Sequence, residues 1–285
     1  MNPTARQSGS TPDAGLIPGA FSPRFARAFA WYVAHRLLPR RFHAVRIVRD
    51  TLPAAAGLDD HDGPLIVLLN HPSWWDPITA TLLAYRLFPS RSVAAPIDAD
   101  QLRRFRFFRR LGLFGIDPDA PASAAAMSRY IADRFAAEPR PTLWITPQGE
   151  FTDARAPVRL RPGAAVIASE HPRASVLCVA LEYAFWDDPK PEVLIRLERC
   201  TTDRPTTTGW LRAMTEAMQR NQDALASLSI ARSPEPFAVL VGGRGERINP
   251  AYDLWLRLRR RAAGPRPRQR DHREHRRHTP QGAAP

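Results

Sequence analysis

The sequence predicts an α/β domain in which a mixed, mostly parallel sheet is covered by helices on both faces, with an amphipathic helix at the N-terminus. Three observations lead there. Continuous apolar runs such as PLIVLLN, TLWI and SVLCVALEY read as strands buried on both sides. Segments of helical periodicity separate them, and that alternation is the mark of strand–helix–strand connections. With 285 residues, 44% hydrophobic and 24% charged, the chain is also large and apolar enough to enclose a core.

Residues 1–20, rich in Pro, Gly, Ser and Thr, carry no periodicity and are expected to be disordered, so ordered structure should begin near Ser22. The segment SPRFARAFAWYVAHRLLPRR then places Phe25, Phe29, Tyr32 or Val33, and Leu37 at helical intervals among arginines. Such a basic amphipathic helix either docks on its own domain or lies in a lipid interface, and the two are compatible. HAVRIVRD alternates as a half-buried strand, PLIVLLN is a central strand, and ITATLLAYRLF a helix. RSVAAPID follows as a strand, QLRRFRFFRRLGLFG as a basic aromatic helix and turn, and SAAAMSRYIADRFAAE as a helix. Strand PTLWI, helix AAVIASEH, and strands SVLCVALEY and EVLIRLERC complete the predicted sheet.

Beyond it, WLRAMTEAMQRNQDALASLSI is a long helix with Leu211, Met214, Met218, Leu225 and Leu228 on one stripe. A short apolar stretch, a glycine turn and a basic terminal helix carrying Tyr252, Trp255 and Leu256 follow. The domain is therefore expected over residues 21–262, with a disordered basic tail at 263–285.

Charge is unevenly distributed. Of the formal +13, residues 255–285 supply +8, from ten arginines against Asp271 and Glu274. A basic tail meets anionic lipid, nucleic acid or solvent, and charge alone does not separate these. It lacks aromatic interleaving and any nucleic-acid fold, so specific nucleic-acid reading is not expected. No apolar stretch reaches the roughly 18 residues of a spanning helix, and the N-terminus lacks the order of a signal peptide. A cytoplasmic protein, peripheral on the inner face of the cytoplasmic membrane, is the resulting expectation. Cys178, within SVLCVALEY, reads as a small buried hydrophobe rather than a nucleophile or metal ligand.

Open α/β sheets bind ligands beyond the carboxyl ends of their strands, so the loops after apolar strands hold the candidate chemistry. The first is NHPSWWDP, where a buried strand runs straight into Asn70 and His71, with Asp76 following. A carboxylate beside an imidazole fixes its tautomer and raises its basicity, as a general base for a hydroxyl requires. The same pair would also suit a plain helix N-terminus. The second is TPQGEFTDARAPVRLRPGAA, where Pro147 and Gly149 make a tight turn and Arg155, Arg159 and Arg161 offer charge to an anion.

Taken together, NHPSWWD followed downstream by a strand ending in PQG resembles the glycerolipid and lysophospholipid acyltransferase family. LGLFGID, RPGAA and SVLCVALEY extend the resemblance over roughly residues 22–200. It implies that His71 is the general base, that Asp76 orients it, and that the acyl donor is a thioester of coenzyme A or of acyl carrier protein. It implies no bound cofactor, metal or covalent intermediate. The expected substrate contacts are Asn70, Ser73, Pro147, Gln148, Gly149, Glu150, Arg155, Arg161 and Gly163. Two departures stand out: where the family has Pro-Glu-Gly-Thr-Arg, this chain has Pro147, Gln148, Gly149, Glu150 and Phe151, and its middle element is followed by Pro118 instead of an arginine. Two phosphate contacts are thus absent or displaced onto Arg155, Arg159 or Arg161. The acceptor expected is a lysophospholipid or another lipid-like hydroxyl, neutral or glycosylated.

Two rivals differ in class. A thioesterase or lipid hydrolase would need a nucleophile, and no G-x-S-x-G elbow occurs. A non-catalytic protein would use its basic ends alone to bind a membrane surface.

Overall fold

The structure, a computed structural model, describes residues 16–117, 120 and 122–243. The first helix, α1 (Pro23–Tyr32), continues through a π-type turn at Val33–Leu37 into α2 (Leu38–Arg41). The widened turn falls just before Pro39, whose ring would clash with the His35 carbonyl and which has no N–H to donate. Ala30, Val33, Ala34 and Leu38 form the buried stripe. Val33 therefore turns inward and Tyr32 outward, while Phe25 and Phe29 are half-buried.

One sheet comprises β1 (Ala44–Val48), β2 (Leu65–Leu69), β3 (Ser92–Asp98), β4 (Leu113–Ile116), β5 (Pro141–Ile145), β6 (Ser175–Ala184), β7 (Glu192–Cys200) and β8 (Phe237–Gly242). Its order is β4-β3-β5-β2-β6-β7-β1-β8. The first five strands in that order are parallel, β7 and β1 run oppositely to them, and β8 is antiparallel to β1.

Helices α3 (Asp76–Leu87), α4 (Ala99–Arg104), α5 (Ser123–Ala137), α6 (Gly163–Glu170) and α7 (Thr207–Ala231) complete the domain. Strand β2 shows how the layers are built. Leu65, Val67 and Leu69 join Leu38 and the α3 residues Leu82 and Leu83 in one core. Ile66 and Leu68 join Ile131 of α5, Ile167 of α6, and Met214 and Met218 of α7 in another. Both faces are thus apolar, which is why β2 reads as an unbroken hydrophobic run; each fully buried Leu or Ile contributes about 1.5–3 kcal/mol. From the central β5–β2 pair, the chain leaves β2 toward β3 and leaves β5 toward β6, in opposite directions. The loops that follow these two strands therefore sit at the carboxyl edge of the sheet, where open α/β sheets bind ligands.

Several expectations change. Residues Leu16–Ala20 are placed, since Ile17 bridges to Gly115 and Ala20 donates to the Arg109 carbonyl; ordered structure starts before Ser22. QLRRFRFFRRLGLFG is not one helix and turn but α4, a 3₁₀ turn at Arg106–Leu111, and strand β4. Gly112 makes that switch: its φ is 98°, and a Cβ there would lie 2.0 Å from the Val93 carbonyl oxygen. The apolar stretch near Phe237 is strand β8, and a further 3₁₀ helix covers Arg49–Ala55. The expected terminal helix and basic tail lie outside the described residues.

Cys178 and Cys200 are buried and free; the hydrogen bond with Cys200 and then burial push the Cys178 thiol well above its ordinary range, which suits an inert core residue. Among the described residues, no helix is long and apolar enough to cross a membrane.

Candidate active site

The loop after β2 is held by its own side chains. Asn70 is buried, its amide nitrogen donating to the Leu181 carbonyl at 2.9 Å and its oxygen accepting the Leu181 N–H at 2.7 Å. Both polar ends of Asn70 are therefore committed to β6. The backbone N–H of His71 donates to Gln148 Oε1 at 3.0 Å, and the His71 carbonyl accepts the Thr152 N–H at 3.0 Å. These bonds tie the loop after β2 to the loop after β5 and fix the histidine's backbone on both sides.

His71 Nδ1 lies 2.7 Å from Asp76 Oδ2, and Asp76 is only 1% exposed. The same Oδ2 accepts the Ser73 N–H at 3.0 Å, and Oδ1 accepts the Tyr183 hydroxyl at 2.8 Å. A buried carboxylate so supplied with donors is stable as the anion. An ionised carboxylate can only accept, so the neutral imidazole facing it carries its proton on Nδ1 and presents a lone pair on Nε2. Among the described residues no group bonds Nε2. Burial first, and then the Asp76 charge, push the Tyr183 hydroxyl well above its ordinary range, so it stays a donor. Ser73 serves the turn: its hydroxyl accepts the Trp75 N–H, and its carbonyl accepts the Asp76 N–H.

One aromatic ring stacks on the histidine, and a second lies against the first. Phe151 stacks on the imidazole with centroids 4.1 Å apart and planes at 28°, and Trp74 lies 5.3 Å from Phe151. Trp74 is 74% exposed and Phe151 48%, whereas Trp75 turns inward against Phe42.

A cavity of about 470 Å³ also starts at His71 and Asp76. It follows β3 along Val93, Ala95 and Ile97, between Ala26 and Ala30 of α1 and Ala80 and Ala84 of α3, to Arg91 and Ser92 at the opposite sheet edge. The seven residues of β3 make that path about 20 Å long. Its walls are mainly apolar. Arg91 at the far end is 4% exposed and donates to the carbonyls of Leu58, His61, Gly63 and Pro141 and to the Thr142 hydroxyl. Burial pushes it down to about 10, so it stays charged at neutral pH and braces the cavity floor.

The remaining expected contacts divide. Pro147 and Gln148 are buried beside His71, and Gly149, at φ 75°, and Glu150 are exposed on the same turn. The Arg161 side chain crosses Gly149, where a Cβ would meet Nε at 2.6 Å, and the Arg161 backbone N–H donates to the Pro147 carbonyl. Arg155 is bound to Glu182 at 2.5 Å, and Arg159 is exposed. Gly163 starts α6, and a Cβ there would face Met127 in the core. Tyr183, Trp74 and Phe151 are the groups the sequence reading did not single out. Tyr183 had a signal, a hydroxyl-bearing ring beside Glu182 near the carboxyl end of a largely apolar strand.

Residues 36–182 match the family model described as Acyltransferase. No curated protein matches the chain. The matched segment runs from the π-type turn to Glu182 near the end of β6, and so includes both loops and the cavity's floor. The chain belongs to the acyltransferase family, that of glycerolipid acyltransferases such as 1-acylglycerol-3-phosphate acyltransferases, and is an O-acyltransferase acting on lipid-like acceptors.

Proposed function

We propose that the protein transfers an acyl group from a thioester of coenzyme A or acyl carrier protein to a lipid hydroxyl, with His71 as general base and Asp76 as its orienting anion. The carrying observation is the 2.7 Å His71–Asp76 contact at the mouth of a long apolar cavity. Nε2 takes the hydroxyl proton as the acceptor oxygen attacks the thioester carbonyl carbon. Collapse of the tetrahedral adduct breaks the C–S bond, and the imidazolium returns the proton to the departing sulfur. Asp76, supported by Tyr183 and the Ser73 N–H, stabilises the imidazolium between those steps. The acyl chain lies in the cavity. Ser73, Pro147, Gln148, Gly149 and Glu150 shape the open side, with Arg161 across the turn.

On that open side the acceptor meets Phe151 and Trp74, and Arg155 is already engaged by Glu182. This supports a neutral or sugar-bearing hydroxyl, because ring faces stack well on such acceptors. The setting proposed is the cytoplasmic membrane surface, with anionic lipid as partner and no specific nucleic acid.

The test is acylation of a panel of lysophosphatidic acid, an alkyl glucoside and a long-chain alcohol, followed by mass spectrometry with each thioester donor. His71→Ala should slow transfer by about 10²–10⁴. A variant at the wild-type rate would remove the base assignment, and fatty acid released regardless of acceptor would point to hydrolysis.

A further inference from the structure

We infer that α1 and the arginine-rich segment 103–110 together form one docking surface for an anionic lipid bilayer, with the acyl cavity directly behind it. The two pieces are distant in sequence and joined in space. Phe29 of α1 packs on Phe107 with centroids 5.9 Å apart, the Arg110 guanidinium lies 4.2 Å over the Phe25 ring, and the Ser22 N–H donates to the Arg110 carbonyl. Trp31, Tyr32, Phe105 and Phe107 are 38–50% exposed, and Arg24, Arg103, Arg104, Arg106 and Arg110 are exposed among them.

The charge is one-signed. No acidic residue occurs between Ala14 and Arg49 or between Gln101 and Ile116, and on the adjoining α4 only Asp100 pairs with an arginine, Arg103. Exposed aromatics cost solubility unless something covers them, and rings interleaved with guanidinium groups match the boundary between acyl chains and phosphates. The position selects lipid over a protein or nucleic-acid partner. The inner side of α1, through Ala26 and Ala30, and Leu111 at the end of the 3₁₀ turn both wall the cavity. The outer face of this wall thus lies on the side of the molecule that holds the acyl cavity.

The inference rests on the membrane setting proposed above, but its test reads binding and not catalysis, so the two fail separately. The full chain is mixed with vesicles of phosphatidylcholine alone or with added phosphatidylglycerol, and bound protein is measured by flotation. Binding should require phosphatidylglycerol. R103S/R104S/R106S should weaken it about fivefold per arginine, about a hundredfold together, by the roughly 1 kcal/mol each basic side chain contributes near an anionic surface. W31S/F107S should leave the salt-sensitive part of binding and remove the salt-resistant part. Both variants should keep their circular dichroism and their rate on detergent-dispersed acceptors. Flotation of the triple variant at the wild-type level, equal binding to both vesicles, or binding to nucleic acid alone would overturn the inference.

Discussion

At the scale of single residues, the site turns on how Asp76 is kept ionised while out of water. Three donors converge on its carboxylate: His71 Nδ1–H, the Ser73 N–H and the Tyr183 hydroxyl. The third comes from β6, far away in sequence, and is the one a substitution can remove without touching the loop. Tyr183→Phe should lower kcat about tenfold or more while leaving KM for both substrates near wild type, since a hydrogen bond to a charged group is worth about 1.5–3 kcal/mol. Steady-state kinetics with a thermal melt would check it; a lowered melting point with unchanged kcat would make Tyr183 a packing residue instead. His71 and Asp76 were legible because a buried strand ends directly in their loop and that loop resembles a family motif. Asn70 was equally legible as a polar residue, but its role as a clamp on Leu181 depends on a strand that sequence spacing does not bring near. Phe151 was visible only as a missing arginine, and its stacking on the imidazole needed the two loops to meet.

Among the elements, the cavity is made by small residues on facing helices. Ala26 and Ala30 of α1 and Ala80 and Ala84 of α3 leave the space above β3 that longer side chains would fill. Ala84→Phe should therefore shift the preferred donor to shorter acyl chains, with the rate on short chains retained. Competition between donors of graded length, read by product mass, would check this; an unchanged preference would place the acyl chain elsewhere. Strand β4 illustrates what element prediction missed. Its sequence follows an aromatic, arginine-rich stretch of helical appearance, and only the left-handed Gly112, pressed against the Val93 carbonyl, turns the chain into the sheet. The π-type turn before Pro39 likewise lets one helix continue where proline alone would have ended it.

For the whole molecule, the net charge of +13 and the run of arginines on α1 and residues 103–110 predict that the proposed association with anionic membranes is electrostatic in its long-range part. Raising the salt to about 1 M, where screening acts within about 3 Å, should release most vesicle-bound protein while leaving transfer to detergent-dispersed acceptors nearly unchanged. Parallel loss of both would mean that salt acts on the fold or the site. The α/β class and the strands covered on both faces were determined by the sequence itself, because apolar periodicity is a local signal; the His71–Asp76 pair stood out there through its resemblance to a family motif, since the loop alone also suits a plain helix N-terminus. The order β4-β3-β5-β2-β6-β7-β1-β8, the third donor from Tyr183, the aromatic cover over His71 and the union of α1 with residues 103–110 were decided by tertiary structure alone. Each of these is a contact between segments far apart in the chain, and its free energy comes from burial and pairing that exist only once the sheet has closed.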